Sequence, residues 1–263
     1  MNEEPTTPPP VPSHPWTPPA APSTRAREWK DPFVLEPMTD APTSLNAIAS
    51  LLKSPGRVLF QLNEVGGRRL ALGLFVCSLL CLLAFGFLVG TFSGGTQLWA
   101  APAKVVLGTL ASILICLPSF VIFSLLSGTD CPVGRLCSLL LMMLALIGLL
   151  LAGFAPVVWV FAQSSSEVGF MAGLGLLFWC LACLFGLRLL MKLARNLGSR
   201  SQGALLAWGG IFLLVTFQMT STLRPILGPS DTFFPKSKMG FLENWLSSAV
   251  GARAVILDTP ERN

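Results

Sequence analysis

The side chains able to do chemistry in this chain gather at the end of its last apolar stretch. Thr216, Gln218, Thr220, Ser221 and Thr222 follow an apolar start at Leu205, and Arg224 with Pro225 closes the run. Thr216, Thr220 and Arg224 recur every four residues, which places them on one face of a helix. Such hydroxyls, an amide and a guanidinium can line a small polar pocket, with Arg224 facing an anionic headgroup or substrate. The same groups can instead hydrogen-bond neighbouring helices, at about 0.6–2 kcal/mol each inside a membrane. They do not form a catalytic set. The only histidine is His14, far away in a proline-rich tail, and the apolar stretches contain no Asp, Glu or His. This argues against a proton-coupled carrier, an intramembrane metalloprotease or a paired-acid enzyme, because such chemistry needs ionisable groups in the bilayer. A protein without catalytic residues, metal or cofactor is expected.

The elements that must position these residues are unusually apolar. Of 263 residues, 52% are apolar and only 12% are charged, against about 25% charged in soluble domains. Mean hydropathy is +0.68. Between Leu70 and Leu223 the only acids are Asp130 and Glu167, and both fall between apolar runs. Five runs are long enough to cross a hydrocarbon core of about 30 Å: residues 70–92, 103–126, 136–161, 168–190 and 205–223. The first four are expected to pack around the polar face of the fifth. Pro102 can open the second, and Lys104 falls near its start, counted with the loop before it. Gly86/Gly90, Gly169/Gly173 and Ala182/Gly186 are pairs of small residues four apart, which lets helices approach closely. Pro118 and Pro156 should kink their helices.

Seven cysteines are present and all but Cys131 lie within the apolar runs, where a thiol is a small hydrophobe. Cys180 and Cys183 form C-x-x-C, but no His or acid stands near to make a metal site. The net charge of +5 comes from Lys and Arg at the ends of the apolar runs. That distribution speaks for membrane topology and lipid headgroups, not nucleic acid.

Residues 1–43 hold 12 of the 21 prolines, mixed with Ser, Thr and Ala. This composition buries no core and predicts a disordered tail with polyproline-II character. The P-x-x-P spacings at Pro9, Pro12, Pro15 and Pro18 suit either a proline-recognising partner or a solvated spacer. Residues 44–67 change character. Ser44 can cap a helix with Leu45, Ile48, Leu51 and Leu52 on one side; Ser54-Pro55 breaks and restarts it. Val58, Leu59 and Leu62 continue the apolar side. The segment reads as an amphipathic helix in the headgroup region, or as a cap packed on the bundle. Gly66-Gly67 reads as a loose joint before Arg68-Arg69. Residues 68–225 form the five-span domain, and 226–263 a short tail whose 238–250 portion can form a surface helix.

Orientation follows from the basic residues. Lys53, Arg57, Arg68, Arg69, Arg135, Lys192, Arg195 and Arg200 fall on the side of the N-terminus. The positive-inside rule therefore puts the N-terminus in the cytoplasm and, after five spans, the C-terminus outside.

This layout, with Lys53-Ser54-Pro55-Gly56-Arg57 before the first span, Gly128 before the third and Pro156 within it, resembles the Yip-type family of five-span membrane proteins. The Asp-Leu-Tyr-Gly-Pro motif of its eukaryotic members is absent. Phe92-Ser-Gly-Gly-Thr-Gln-Leu-Trp99 and Thr222-Leu-Arg-Pro225 look more like bacterial members of unknown function. The resemblance implies an all-α bundle of five transmembrane helices, preceded by an interfacial helix. It also implies a bacterial inner membrane, with a Golgi or ER membrane as the alternative. The function expected is that of a non-enzymatic scaffold or organiser of a membrane complex. Its partners would be the lipid bilayer and a protein bound to the tail. The alternative is a carrier or channel for a small or lipid-like molecule, using the pocket at Thr216–Arg224.

Overall fold

A computed structural model describes residues 31–38, 43–93, 97–164 and 168–222, and all its regular elements there are α-helices. Two short helices, α1 (Ser44–Lys53) and α2 (Pro55–Leu62), precede five long ones: α3 (Gly67–Ser93), α4 (Gln97–Leu126), α5 (Val133–Ser164), α6 (Val168–Asn196) and α7 (Gln202–Thr222). The five long helices are each apolar enough to cross a membrane. The chain is a multi-span integral membrane protein. The end of the bundle at which α3, α5 and α7 begin is the entry face, and the opposite end the far face.

α5, not the last helix, is the centre. About 61% of its most apolar stretch is buried, against 28% for α7. α5 packs on α3 and α6, while α7 packs chiefly on α4 and less on α6. The expectation that four spans surround α7 is thus corrected. α5 is apolar all round, so it suits a position enclosed by other helices. α7 leaves Leu206, Ile211 and Leu214 exposed, as a helix facing lipid does.

Small residues set the crossings. A Cβ on Gly148 would press on the Ser78 carbonyl of α3, and one on Gly186 would press on Ile147 and Met143 of α5. At Gly86, a Cβ would collide with the backbone of Pro102 on α4. Two of the three small-residue pairs therefore work within the chain, whereas Gly173 faces open space. Pro102 does not open α4. The helix begins at Gln97 and carries Pro102 and Pro118 inside it, as α5 carries Pro156. Transmembrane helices tolerate this because neighbouring helices and hydroxyls re-satisfy the freed carbonyls.

α1 and α2 form a cap on the bundle. Ala47, Leu51, Val58, Leu59 and Leu62 are buried in the same core as the long helices. The break at Ser54-Pro55 is where the sequence places it, but the helix starts at Ser44 itself, with Thr43 before it and no side-chain cap bond. Ile48 and Leu51 border a void of about 10 Å³ together with Cys77, Ser78 and Cys81 of α3 and Ala145 and Leu149 of α5. Cys77 is eight residues past Arg69, about 12 Å further along the helix. α1 is therefore seated beside the spans and not only on their ends.

At the entry face two loops are tied together. The Ser127 carbonyl accepts from Arg200 N–H at 2.8 Å and Ser201 N–H at 3.2 Å. Gly128 takes φ +84° to make this turn. The Ser127 hydroxyl donates to the Ser124 carbonyl and meets Thr129 Oγ1 at 3.0 Å. Ser124 Oγ and Ser199 Oγ are buried without a hydrogen-bond partner. Removing a buried orphan hydroxyl relieves its desolvation cost, whereas removing a bonded one loses about 1 kcal/mol. Ser199→Ala should therefore raise the melting temperature in detergent slightly, and Ser127→Ala should lower it.

Candidate functional site

The second half of α7 carries the polar residues that the sequence singles out. Thr216 is buried, and its hydroxyl donates to the Phe212 carbonyl at 2.7 Å, one turn back in the same helix. Such back-bonding uses the hydroxyl locally. Gln218 is exposed, two residues further on. Phe217, between them, meets Trp179 of α6 edge-on at 5.2 Å. Thr220 and Ser221 belong to the last turn of α7 by backbone; their side chains, and all of Arg224, lie outside the described residues. The same is true of the 238–250 segment and the P-x-x-P tail.

Sequence reasoning misses a nearby group. Lys104 does not belong to the loop before the second span. It is the eighth residue of α4, about 10 Å from the helix start, and only 2% of it is exposed. The early start of α4 draws it inside. It has an interaction partner. A buried lysine in a span is costly and is therefore a candidate for binding an anion or fixing a helix contact. The available signal is a charged residue two positions after a proline in an otherwise apolar run. Reading the proline as the helix start conceals it.

The second region lies at the entry face, where part of the tail is bound. Residues 32–38 form a strap across the start of α2 and the end of α6. Gly56 N–H donates to the Pro32 carbonyl at 3.2 Å. Asn196 Nδ2 donates to the Phe33 carbonyl. Lys192 Nζ stands 4.7 Å from the centre of the Phe33 ring, a cation–π contact worth about 0.5–1 kcal/mol when exposed. Arg57 pairs with Glu36 at 3.3 Å. Phe33 and Leu35 pack on the main core. A Cβ on Gly56 would collide with the carbonyl oxygens of Phe33 and Val34, so only glycine admits the strap. A tail that buries no core does not describe this segment. Its signal is the pair Phe33 and Leu35, apolar residues in a stretch otherwise rich in Pro, Ser and Thr.

All seven cysteines are free thiols. Among the described residues no group of three or more His, Cys, Asp or Glu is placed to hold a metal ion. Compared with protein-family models, curated proteins and solved structures, the chain matches none.

Proposed function

We propose that this protein is a non-enzymatic scaffold of a membrane complex, of the Yip type, with its entry face in the cytoplasm of a bacterial inner membrane. The observation that supports this reading is the strap at residues 32–36. It anchors the proline-rich tail to α2 and α6, so a partner held by the tail is held at a defined point of the bundle. The basic residues on the entry face suit a cytoplasmic position. A carrier for a small anionic or lipid-like molecule is the second reading, favoured by Lys104 buried in α4 near the end of the bundle to which Thr216 and Gln218 also belong.

The test compares the parent, a deletion of residues 1–30 and a Gln218→Ala/Arg224→Ala variant in native membranes, by the mass of the assembly each forms. Deleting residues 1–30 leaves the strap and the cap intact. Deleting through residue 65 would strip Leu51, Val58 and Leu59 from the core and confound partner loss with unfolding. The scaffold reading expects the 1–30 deletion to dissolve the assembly, with Gln218→Ala/Arg224→Ala leaving it whole. An assembly indifferent to the deletion, together with transport lost in the double variant, would transfer the case to the carrier.

A further inference from the structure

The elbow between α2 and α3 is a built feature and not the loose joint that Gly66-Gly67 suggests. Gly66 takes φ +98°, a conformation natural to glycine. A Cβ on Gly67 would collide with the carbonyls of Leu62 and Gln61. Gly67 N–H donates to the Glu64 carbonyl at 3.0 Å, and Arg69 N–H to the Gly66 carbonyl at 3.3 Å. The elbow frames an open groove of about 510 Å³ lined by Gln61, Val65, Gly66, Gly67, Arg69 and Leu70.

Arg69 lines the groove and Arg68 is its neighbour in the first turn of α3; both are exposed and form no ion pair with another described residue. The acid on the neighbouring strap, Glu36, is engaged by Arg57. Glu64, exposed on the elbow, does not line the groove. Val65 at the tip is fully exposed. Below Arg68, at steps of four residues, Leu72, Val76 and Leu80 are 64%, 46% and 60% exposed. They share one stripe of α3 with it. A cationic, forked head above an apolar track about two turns long suits a lipid with an anionic headgroup.

We propose that this elbow binds an anionic glycerophospholipid. Its phosphodiester sits on the guanidinium groups of Arg68 and Arg69, which offer paired donors to phosphate oxygens. Its glycerol end reaches the groove beside Gln61, and one acyl chain follows Leu72, Val76 and Leu80. The site is independent of whether the protein is a scaffold or a carrier.

The experiment titrates the purified full chain with phosphatidylglycerol and with phosphatidylcholine, counting bound lipid by native mass spectrometry. Basic side chains near an anionic surface contribute about fivefold each, so Arg68→Gln/Arg69→Gln should lose about thirtyfold for phosphatidylglycerol. Its affinity for phosphatidylcholine, whose choline cation offsets the charge of the same phosphodiester, should start lower and fall less. Arg195→Gln, an exposed arginine in the last turn of α6 that does not line the groove, should stay within about twofold of the parent. Arg68→Lys/Arg69→Lys keeps the charge and should fall between, because the paired geometry is lost. Equal losses in Arg195→Gln would reduce the effect to general surface potential and overturn the site. So would full retention in the double glutamine variant. Displacement of phosphatidylglycerol by millimolar inorganic phosphate would reassign it to a free anion.

Discussion

Trp208→Ala will loosen α7 from the rest of the bundle and lower stability more than Ser127→Ala or Gly56→Ala. Trp208 is fully buried at the seam of α4 and α7. Its ring lies 4.6 Å from that of Phe120 on α4 and 5.5 Å from that of Phe212 in its own helix. Its indole N–H reaches the Cys116 carbonyl at 3.3 Å and Ser119 Oγ at 3.2 Å. Removing a buried tryptophan costs about 3–5 kcal/mol in cavity and lost contacts. In a bilayer the lower end applies, because lipid tails replace much of the apolar environment and only packing is lost. A fall of about 10 °C in the melting temperature of the detergent-solubilised chain is expected. Trp208→Phe keeps most of the packing and loses only the hydrogen bonds, so it should cost about 1 kcal/mol. Equal losses in the two variants would show that the indole N–H, and not the ring, holds the seam.

Gly56→Ala should free the strap while leaving the bundle folded. Gly56 is the second residue of α2. In an unconstrained helix alanine would be favoured there by about 1 kcal/mol. Here the new methyl would meet the backbone oxygens of Phe33 and Val34, which cannot swing aside as a side chain can. The strap must lift. It then forfeits the Gly56 and Asn196 hydrogen bonds, the Lys192–Phe33 contact and the burial of Phe33 and Leu35. The Arg57–Glu36 pair adds little, being partly exposed. Together these are worth about 2–3 kcal/mol of local stability. Proteolysis of the full chain between Phe33 and Leu35 should quicken by about thirtyfold or more, since cleavage follows the population of the open form. The melting temperature of the bundle should barely move. A cleavage rate equal to that of the parent would show that the close approach at Gly56 does not hold the strap. The same variant bears on the scaffold proposal, because it separates a tail that is present from a tail that is held in place.

The two regions differ in how far the sequence reveals them. The polar end of the last span is plain in the sequence because Thr216, Gln218 and Thr220 interrupt an apolar run. The position of Lys104 is not, because a proline two residues earlier mimics a helix start. Phe33 gives little warning that it docks on Lys192 and Asn196, more than 150 residues away. Nothing local marks Gly56 as a point of close approach. The α2–α3 elbow is half legible: Arg68-Arg69 announces a headgroup level, while the glycines before it suggest looseness and prove to be tight.

The sequence by itself determined that this is an all-helical protein of five spans, and where each span lies apart from the start of α4. The runs expected at 136–161 and 168–190 became α5 (Val133–Ser164) and α6 (Val168–Asn196). The reason is local. In hydrocarbon each segment must satisfy its own backbone and present apolar side chains, so length and composition are enough. The tertiary structure alone decided which helix is central, which faces meet and what the tail touches. Helices that are apolar all round carry no polar face to say which side is inside. Their neighbours are chosen by steric fit at residues such as Gly86, Gly148 and Gly186, and that fit exists only between two surfaces.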